Sequence, residues 1–523
     1  MRLLFGPLFT LAFVFSASPE VAAAQDPATI GSRLLPLGSW TYEPIEQLRT
    51  RGHLSGLNPL AQPYRRIDVA VGLADLRELD LSGPVAGWVE LLATELAREV
   101  EILETGRDGQ DLGLQLVLGG TASDSRRRDP LMPYRTTANE TARDRLWPSN
   151  SGAFWLEHSN VAAEARVAKD LWTHSPHHGD PDGLNPGGAP VVGRTDNAYF
   201  TAAFSWGNVW LGRFQRNWGP LGQSGTMLSD NATPYPQIGL DLGRGRLSFQ
   251  FMAGELETVA GRRRYLVANR LDFRTENFHV GIGEVALSSQ SSPLRLMNPV
   301  EFILFDQRAN NGQKASGNVM LNAMVWARAG NVTFYGEAAL DDFDLLPRSG
   351  KQDRGIEATS YQVSAGARYF GVREDIVLGL DYRRVSAWSY RSGVEAEQWM
   401  YLNRGLGDPW SDYDRLTARL DFFPSVRGLR LSSVVQYHRA GEGDYRIPFP
   451  PREEQLMLPG IFHGVLETTK RVGVQGRFQP RRELFIEWDA GRSFITHAGH
   501  VGGLSEQRFS FLLRLALTLE AGL

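Results

Sequence analysis

Residues Gln507–Leu519 read QRFSFLLRLALTL, and apolar side chains occupy every second position from Phe509 to Leu519. Successive side chains of a β-strand point to opposite faces, so one face of this segment is wholly apolar while the other carries Arg514 and Thr518. A strand with these two faces suits a wall that has lipid on one side and water on the other. The stretch therefore predicts one strand of a transmembrane β-barrel.

The composition of the 523-residue chain agrees with a barrel and excludes several other classes of protein. No apolar run of about 20 residues follows the N-terminal segment, so we expect no helical membrane span. Aromatic residues at 10% and 55 glycines suit a barrel, which has aromatics at both membrane interfaces and glycines at bends. The net charge of -4 excludes a basic nucleic-acid binder, and the absence of cysteine excludes disulfide scaffolds and thiolate sites.

The first 24 residues have the features of a signal peptide. Arg2 is followed by the apolar stretch Leu3–Ala17, and Ala22–Ala24 supplies the small residues of a cleavage site. We therefore expect residues 1–24 to be removed from the mature protein. An uncleaved membrane anchor is the alternative, but the apolar stretch is short for a membrane span.

Residues 25–110 predict a small α-helical bundle. Helices are expected over residues 44–51, 65–79 and 84–105, and apolar residues recur at spacings of three and four in the last of these. Pro84 suits the first turn of a helix. The charged face of this helix is acidic, which favours packing onto protein over packing onto a membrane surface.

Residues 111–523 predict the barrel itself, because short alternating segments are joined by connections that are short and long in turn. Long connections are expected at residues 121–149, 171–196, 217–236, 257–264, 288–317, 341–358, 389–410, 440–460 and 497–506. Outer-membrane barrels have short periplasmic turns and long extracellular loops. Nine long connections therefore predict about 18 antiparallel strands, with the helical bundle and both termini on the periplasmic side.

The predicted inner face of the barrel carries charges of both signs. Val472 and Val474 alternate with Arg471, Gln475 and Arg477, for example. Charges of both signs usually pair, so we interpret them as ion pairs that brace the wall. A track for a substrate through the lumen is the alternative.

Several motifs resemble the capsule assembly Wzi family of outer-membrane proteins. The most specific are RNWGP at residues 216–220 and MLSDNATP at residues 227–234, and Tyr64–Arg66 and Glu487–Asp489 also match. The resemblance covers nearly all of the mature chain. It implies an 18-stranded barrel whose floor is closed by a periplasmic helical bundle. It also implies a surface lectin that helps to hold capsular polysaccharide on the cell. The final Leu523 departs from the terminal aromatic residue of many such barrels.

The loop that follows Arg213 contains the first candidate glycan site. Trp218 offers an aromatic face to a sugar ring, and Arg213, Arg216 and Asn231 offer hydrogen bonds to hydroxyls or carboxylates. The alternative is that the turn residues fold this loop into the lumen as a brace. Both interpretations are compatible with the sequence.

A second aromatic-rich loop lies between residues 388 and 413. Trp399 and Trp410 are the candidates for contact with a glycan in this loop. Trp388 and Tyr413, at the ends of the flanking strands, are expected to belong to the aromatic girdle at the membrane interface.

The sequence predicts neither a metal nor another cofactor. His174, His177, His178, Asp180 and Asp182 cluster in one loop, but their spacing fits no known zinc or calcium site. No combination of Ser, His and acid stands out, which argues against an enzyme.

The sequence thus predicts a non-enzymatic outer-membrane barrel that binds or anchors capsular or other surface polysaccharide. The alternative is a porin or diffusion channel, and occlusion of the lumen distinguishes the two. The expected partners are polysaccharide, outer-membrane lipid and the barrel-assembly machinery, without nucleic acid. We expect the protein to be a monomer.

Overall fold

The computed structural model describes residues 26–106, 110–124, 146–170, 193–243, 245–289, 317–341, 360–402, 404–450, 458 and 460–522. The predicted signal peptide and the cluster from His174 to Asp182 lie outside these residues. Four α-helices come first, α1 Tyr42–Thr50, α2 Arg66–Arg77, α3 Gly83–Glu95 and α4 Ala97–Thr105. None of the helices in the described ranges has the length and apolar character needed to cross a membrane.

The strands follow the helices. They are β1 Asp111–Ser123, β2 Leu146–His158, β3 Val161–Asp170, β4 Gly193–Phe204, β5 Gly207–Phe214, β6 Tyr235–Leu242, β7 Leu247–Val259, β8 Arg262–Arg274, β9 Phe278–Ser288, β10 Asn318–Ala329, β11 Val332–Leu340, β12 Tyr361–Arg373, β13 Ile376–Val385, β14 Met400–Tyr401, β15 Arg404–Gly405, β16 Tyr413–Phe422, β17 Leu429–Ala440, β18 Glu467–Arg481, β19 Leu484–Thr496 and β20 Ser505–Gly522.

Eighteen of these strands form one closed antiparallel barrel. Each strand pairs with its neighbour in sequence, and β20 returns to β1 with Leu519 opposite Leu116. The two-residue strands β14 and β15 pair with each other in a separate small hairpin. The prediction of about 18 antiparallel strands is therefore confirmed.

The outside of the barrel carries a belt of exposed apolar side chains. On β18, Val472 is 58% exposed whereas the neighbouring Arg471 is 3% exposed, as the period of two requires. On β20, Phe509 and Leu515 are exposed while Ser510 is buried. A soluble monomer rarely shows so large an apolar surface, and a lipid bilayer covers it in a transmembrane barrel.

The third predicted helix is two helices, which corrects the expected single helix over residues 84–105. Leu96, with φ -102° and ψ 28°, separates α3 from α4. Helix α3 buries Trp88 and Leu92, which pack in one core with Phe423 of the barrel, whereas α4 buries Ile102 in a second cluster with Ile30. A single straight helix would not direct its apolar stripe at both surfaces.

The prediction of a long connection at residues 257–264 is wrong. Strand β7 continues to Val259 and β8 starts at Arg262, so a two-residue turn joins them. The polar sequence resembles a loop, but Arg264 is fully buried. Its guanidinium pairs with Glu257 at 3.0 Å and donates to backbone carbonyls of residues 396–400. The number of strands is unaffected.

Two long connections fold into the lumen. We call residues 215–234, together with the described part of residues 386–412, the lumen plug. Its apolar residues form one buried cluster with inward-facing side chains of the wall. The plug contributes Trp218, Met227, Leu228, Tyr390, Trp399 and Leu406 to this cluster, and the wall contributes Met252, Leu266, Leu287, Met320 and Met324, among others.

Candidate functional site

The first candidate tryptophan lies inside the plug. Trp218 is fully buried, and its backbone N–H donates to Leu228 O at 2.9 Å. Arg216 is also buried, with its guanidinium carbon 3.6 Å from the centre of the Trp210 ring. Burial lowers the pKa of Arg216 to about 10, so its guanidinium remains charged at neutral pH. Both side chains pack within the protein in this conformation.

The other two candidates of this loop keep part of their surface exposed. Arg213 Nη1 donates to Pro234 O at 3.1 Å, and Asn231 Nδ2 donates to Gly405 O at 2.8 Å. Both residues are half-buried. Asn231 thus tethers one segment of the plug to the other.

The candidates of the second loop differ in the same way. Trp399 is fully buried, and its Nε1 donates to Met227 O at 2.8 Å. Trp410 is half-buried and lies edge-on to Tyr413 and His438, with ring centres 6.1 and 6.4 Å apart. Trp410 is therefore the candidate tryptophan that keeps part of its surface exposed.

The prediction that Trp388 and Tyr413 belong to the aromatic girdle at the membrane interface is wrong, because both residues are fully buried. Trp388 packs against His463 at a ring distance of 4.7 Å and under the guanidinium of Arg391 at 4.9 Å. Tyr413 donates its hydroxyl to Asp408 in the plug. Alternation alone could not show that these rings point inward, because an aromatic ring suits either the membrane interface or a buried site in the lumen.

Charged residues of the wall hold the plug in place, a contact that sequence reasoning did not assign to them. The Glu337 carboxylate of β11 accepts hydrogen bonds from Thr226 N at 3.0 Å and Thr226 Oγ1 at 2.8 Å. Arg383 of β13 pairs with Asp408 at 2.7 Å. Glu337 and Arg383 occupy inward positions of their strands, and that periodicity was the available signal.

The helical region is hydrogen-bonded to the plug. Gln62 and Asn217 exchange backbone hydrogen bonds of 2.9 and 3.0 Å, and Asn217 Nδ2 donates to Gln62 Oε1 at 2.7 Å. Helix α1 also meets the wall through charge, since Glu43 lies 3.2 Å from Arg430 and 2.8 Å from Arg477. The helices and the plug thus form one continuous filling.

The helices contact the end of the barrel that has the short turns. Arg51 Nη2 donates to Glu374 O at 3.1 Å, and the Trp88 and Phe423 rings meet edge to face at 4.9 Å. Glu374 lies in the turn between β12 and β13, and Phe423 lies in the turn that follows β16. The long connections lie at the opposite end.

The lumen charges pair as predicted from their mixed signs. Arg471 of β18 forms an ion pair with Asp489 of β19. Glu487 forms ion pairs with Arg477 at 2.9 Å and with Arg514 at 2.8 Å. These pairs lie on the arc of wall from β18 through β20 to β3. Within the described ranges, this arc adds no residue to the apolar cluster of the plug.

No group of three His, Cys, Asp or Glu residues that could hold a metal ion occurs in the part of the chain with described positions. The candidate residues of the two loops carry aromatic rings, guanidinium groups and an amide. These groups bind by stacking and hydrogen bonding.

Comparison with known proteins gives a structural likeness and no match in sequence. No family model matches the chain, and no curated protein matches it. The fold is similar to that of Wzi from Escherichia coli. Wzi is described as an outer membrane protein involved in group 1 capsule assembly and as a carbohydrate-binding β-barrel. The TM-score is 0.60 at 13% identity, covering 92% of this chain and 99% of Wzi.

Two proteins from Pseudomonas aeruginosa also match over 79% of this chain. OccD3 (OpdP) gives a TM-score of 0.45 at 10% identity over 92% of its own chain. OprD gives 0.44 at 11% identity over 95% of its chain. At such identities a likeness extends to the fold and no further.

Proposed function

We propose that this protein is a non-enzymatic barrel of the outer membrane that binds surface polysaccharide. In this proposal, residues 26–106 form a floor on the periplasmic side, both termini are periplasmic, and the long connections face outward. The observation that carries the proposal is the lumen plug. A lumen filled by interlocked loops and helices suits a binding surface better than an open passage.

The likeness to Wzi in fold supports the same proposal, because Wzi is described as carbohydrate-binding. The exposed parts of Trp410, Arg213 and Asn231 are the proposed contacts with the glycan. Trp218, Arg216 and Trp399 would then support these contacts from within the plug. The Trp410 ring has the flat apolar face that sugar rings stack on.

One observation favours diffusion through the lumen as a second candidate function. The inner face of the wall from β18 to β3 carries paired charges, and its described residues are not part of the apolar cluster. Porin lumens are polar in this way. A path for small solutes along this arc would make the protein a channel.

Binding of polysaccharide tests the first proposal. The full-length mature protein in lipid nanodiscs is exposed to surface polysaccharide purified from its own source bacterium, and surface plasmon resonance measures the affinity. We expect Trp410→Ala to weaken binding about tenfold or more, since base–aromatic stacking, a related contact, contributes about 1–3 kcal/mol.

Trp206→Ala is the matched control for this measurement, because Trp206 is an exposed tryptophan at a short turn of the barrel. Equal affinity of the Trp410→Ala, Trp206→Ala and unaltered proteins would remove Trp410 from the site. Absence of any binding by the unaltered protein would contradict the proposed function.

A further inference from the structure

A small cavity lies inside the barrel between the chain before α1, the wall and the plug. Its volume is about 190 Å³. Leu34–Gly38 border it on the side of the helical region, β3, β4 and the end of β5 supply the wall, and both segments of the plug complete it. Its polar lining consists of Arg166, Asp196, Asn197, Gln215, Thr233 and Arg404.

Two buried polar atoms at this cavity have no hydrogen-bond partner. They are Nε of Arg404 and Oγ1 of Thr233, on side chains from the two segments of the plug. Arg404 is 8% exposed and Thr233 is 6% exposed. Folded proteins rarely leave buried donors unsatisfied, so such groups indicate a bound water or ligand.

The two arginines at the cavity differ in their partners. Arg166 is bound to the wall, with Nε 3.2 Å from Glu164 and Nη1 2.9 Å from Gln115. Arg404 forms no ion pair with any carboxylate among the residues that the structure describes, and its Nη2 lies 3.5 Å from Asn231 Oδ1. The guanidinium of Arg404 therefore has capacity left for an anion, and its planar fork matches a carboxylate.

The volume of the cavity suits a single sugar ring. A volume of 190 Å³ corresponds to about six water molecules in the liquid. Drug-sized ligands need cavities of about 300–1,000 Å³. Tyr199, Phe214 and Pro234 add apolar surface, which suits the C–H face of a sugar.

We propose that this cavity is a subsite for a single acidic sugar unit of the bound polysaccharide. The sugar carboxylate pairs with Arg404, and a sugar hydroxyl bonds to Thr233 Oγ1. This inference rests on the proposed function, and it adds a preference for sugars that carry a carboxylate.

The test uses the full-length protein in nanodiscs and two small probes, methyl β-D-glucuronide and methyl β-D-glucoside. Isothermal titration calorimetry measures the affinity for each. We expect the glucuronide to bind at least tenfold more tightly than the glucoside. Arg404→Gln should remove this preference, Arg404→Lys should keep part of it, and Thr233→Val should weaken both probes.

Arg446→Gln is the matched control. Arg446 pairs with Asp444 at 2.7 Å on another long connection, is half-buried, and does not line the cavity. Circular dichroism and thermal unfolding confirm that each variant folds. Retention of the glucuronide preference by a folded Arg404→Gln variant would overturn the subsite.

Measurement of whole-polysaccharide binding in the same samples separates this inference from the proposed function. Binding of the polysaccharide without a glucuronide preference overturns the subsite and leaves the function standing. A glucuronide preference that depends on Arg404, without binding of polysaccharide, supports the subsite and contradicts the function.

Discussion

Buried charge at single residues stabilises the helical region. Arg66 Nε lies 2.8 Å from Glu99 Oε1, and Arg66 Nη1 lies 2.8 Å from Glu95 Oε1. Glu99 is fully buried. Burial raises the pKa of Glu99, but the adjacent guanidinium of Arg66 outweighs burial, so the pKa lies below its usual value. Removal of one partner from such a buried pair leaves the other charge uncompensated.

Glu99→Gln should therefore reduce the free energy of unfolding of the helical region by about 3–5 kcal/mol at neutral pH. Hydrogen exchange of the amides in residues 66–105, measured in the intact protein, reports this free energy. Glu104→Gln is the control, because its pair with Arg77 is exposed and should contribute at most about 1 kcal/mol. Similar losses from both variants would contradict the proposed importance of the buried pair.

The same pair gives a dependence on pH with a definite sign. Because the folded pKa of Glu99 is lowered, its contribution is fully present above the unfolded pKa and is lost as the pH falls through the folded value. Protection of residues 66–105, corrected for intrinsic exchange, should therefore fall below about pH 4.5. This component of the pH profile should be absent from Glu99→Gln.

Gly407 marks a close approach between the two segments of the plug. A Cβ atom at this position would lie 1.9 Å from Thr226 O, a backbone atom that cannot move alone. Gly407→Ala should therefore separate the segments and lower the thermal unfolding temperature of the barrel by several degrees. Gly393→Ala is the control, because nothing lies within 4 Å of its Cβ position. Equal unfolding temperatures for the two variants would show that the contact does not constrain the plug.

At the scale of elements, the plug behaves as a core that is built from loops. Trp399 of one segment is fully buried, and its Nε1 donates a hydrogen bond to Met227 O of the other segment at 2.8 Å. Asn231 adds a hydrogen bond between the two segments of the plug, and Arg383 adds an ion pair between the plug and the wall. Apolar burial and satisfied polar groups together explain how irregular chain fills the lumen.

Trp399→Ala should destabilise this core by about 3–5 kcal/mol, the usual cost of truncating a buried tryptophan. Chemical denaturation in lipid, followed by fluorescence of the remaining tryptophans, measures the change. Trp410→Ala should cost less because its ring is half-buried. A larger loss from Trp410→Ala than from Trp399→Ala would contradict the assignment of Trp399 to the core.

The strands and short turns could be predicted from the sequence more completely than the site. Hairpin turns such as His158–Asn160 and Ala329–Asn331 lie where expected, because turn residues and periodicity are local signals. A long connection was wrongly predicted at residues 257–264, because Arg264 is charged and yet buried by carbonyls that lie more than 130 residues away in sequence. Local sequence does not contain such partners.

For the whole molecule, the filling of the lumen decides between binding and transport. The helical region and the plug meet at Gln62 and Asn217, and wall arginines secure α1 through Glu43. These contacts join the helical region to the plug and to the wall. Removal of the helical region and the plug should expose a lumen whose wall carries paired charges.

We expect single-channel conductance of the intact protein in a planar bilayer to be near zero. The double variant Gln62→Ala/Asn217→Ala should show openings, because it removes the side-chain hydrogen bond between floor and plug and leaves only the two backbone hydrogen bonds. Arg427→Gln is the control, since its pair with Glu90 is largely exposed. A steady open current from the intact protein would instead favour the diffusion channel.

The sequence by itself determined the strand count, the alternating apolar outer face and the helical start, because periodicity and turn residues act over a few neighbours. Only the tertiary structure decided which aromatic rings are exposed. Trp399 and Trp410 lie in the same loop, yet one is fully buried and the other half-buried. The reason is physical: burial in a closed barrel depends on which distant loops fold inward, and no local pattern records that choice.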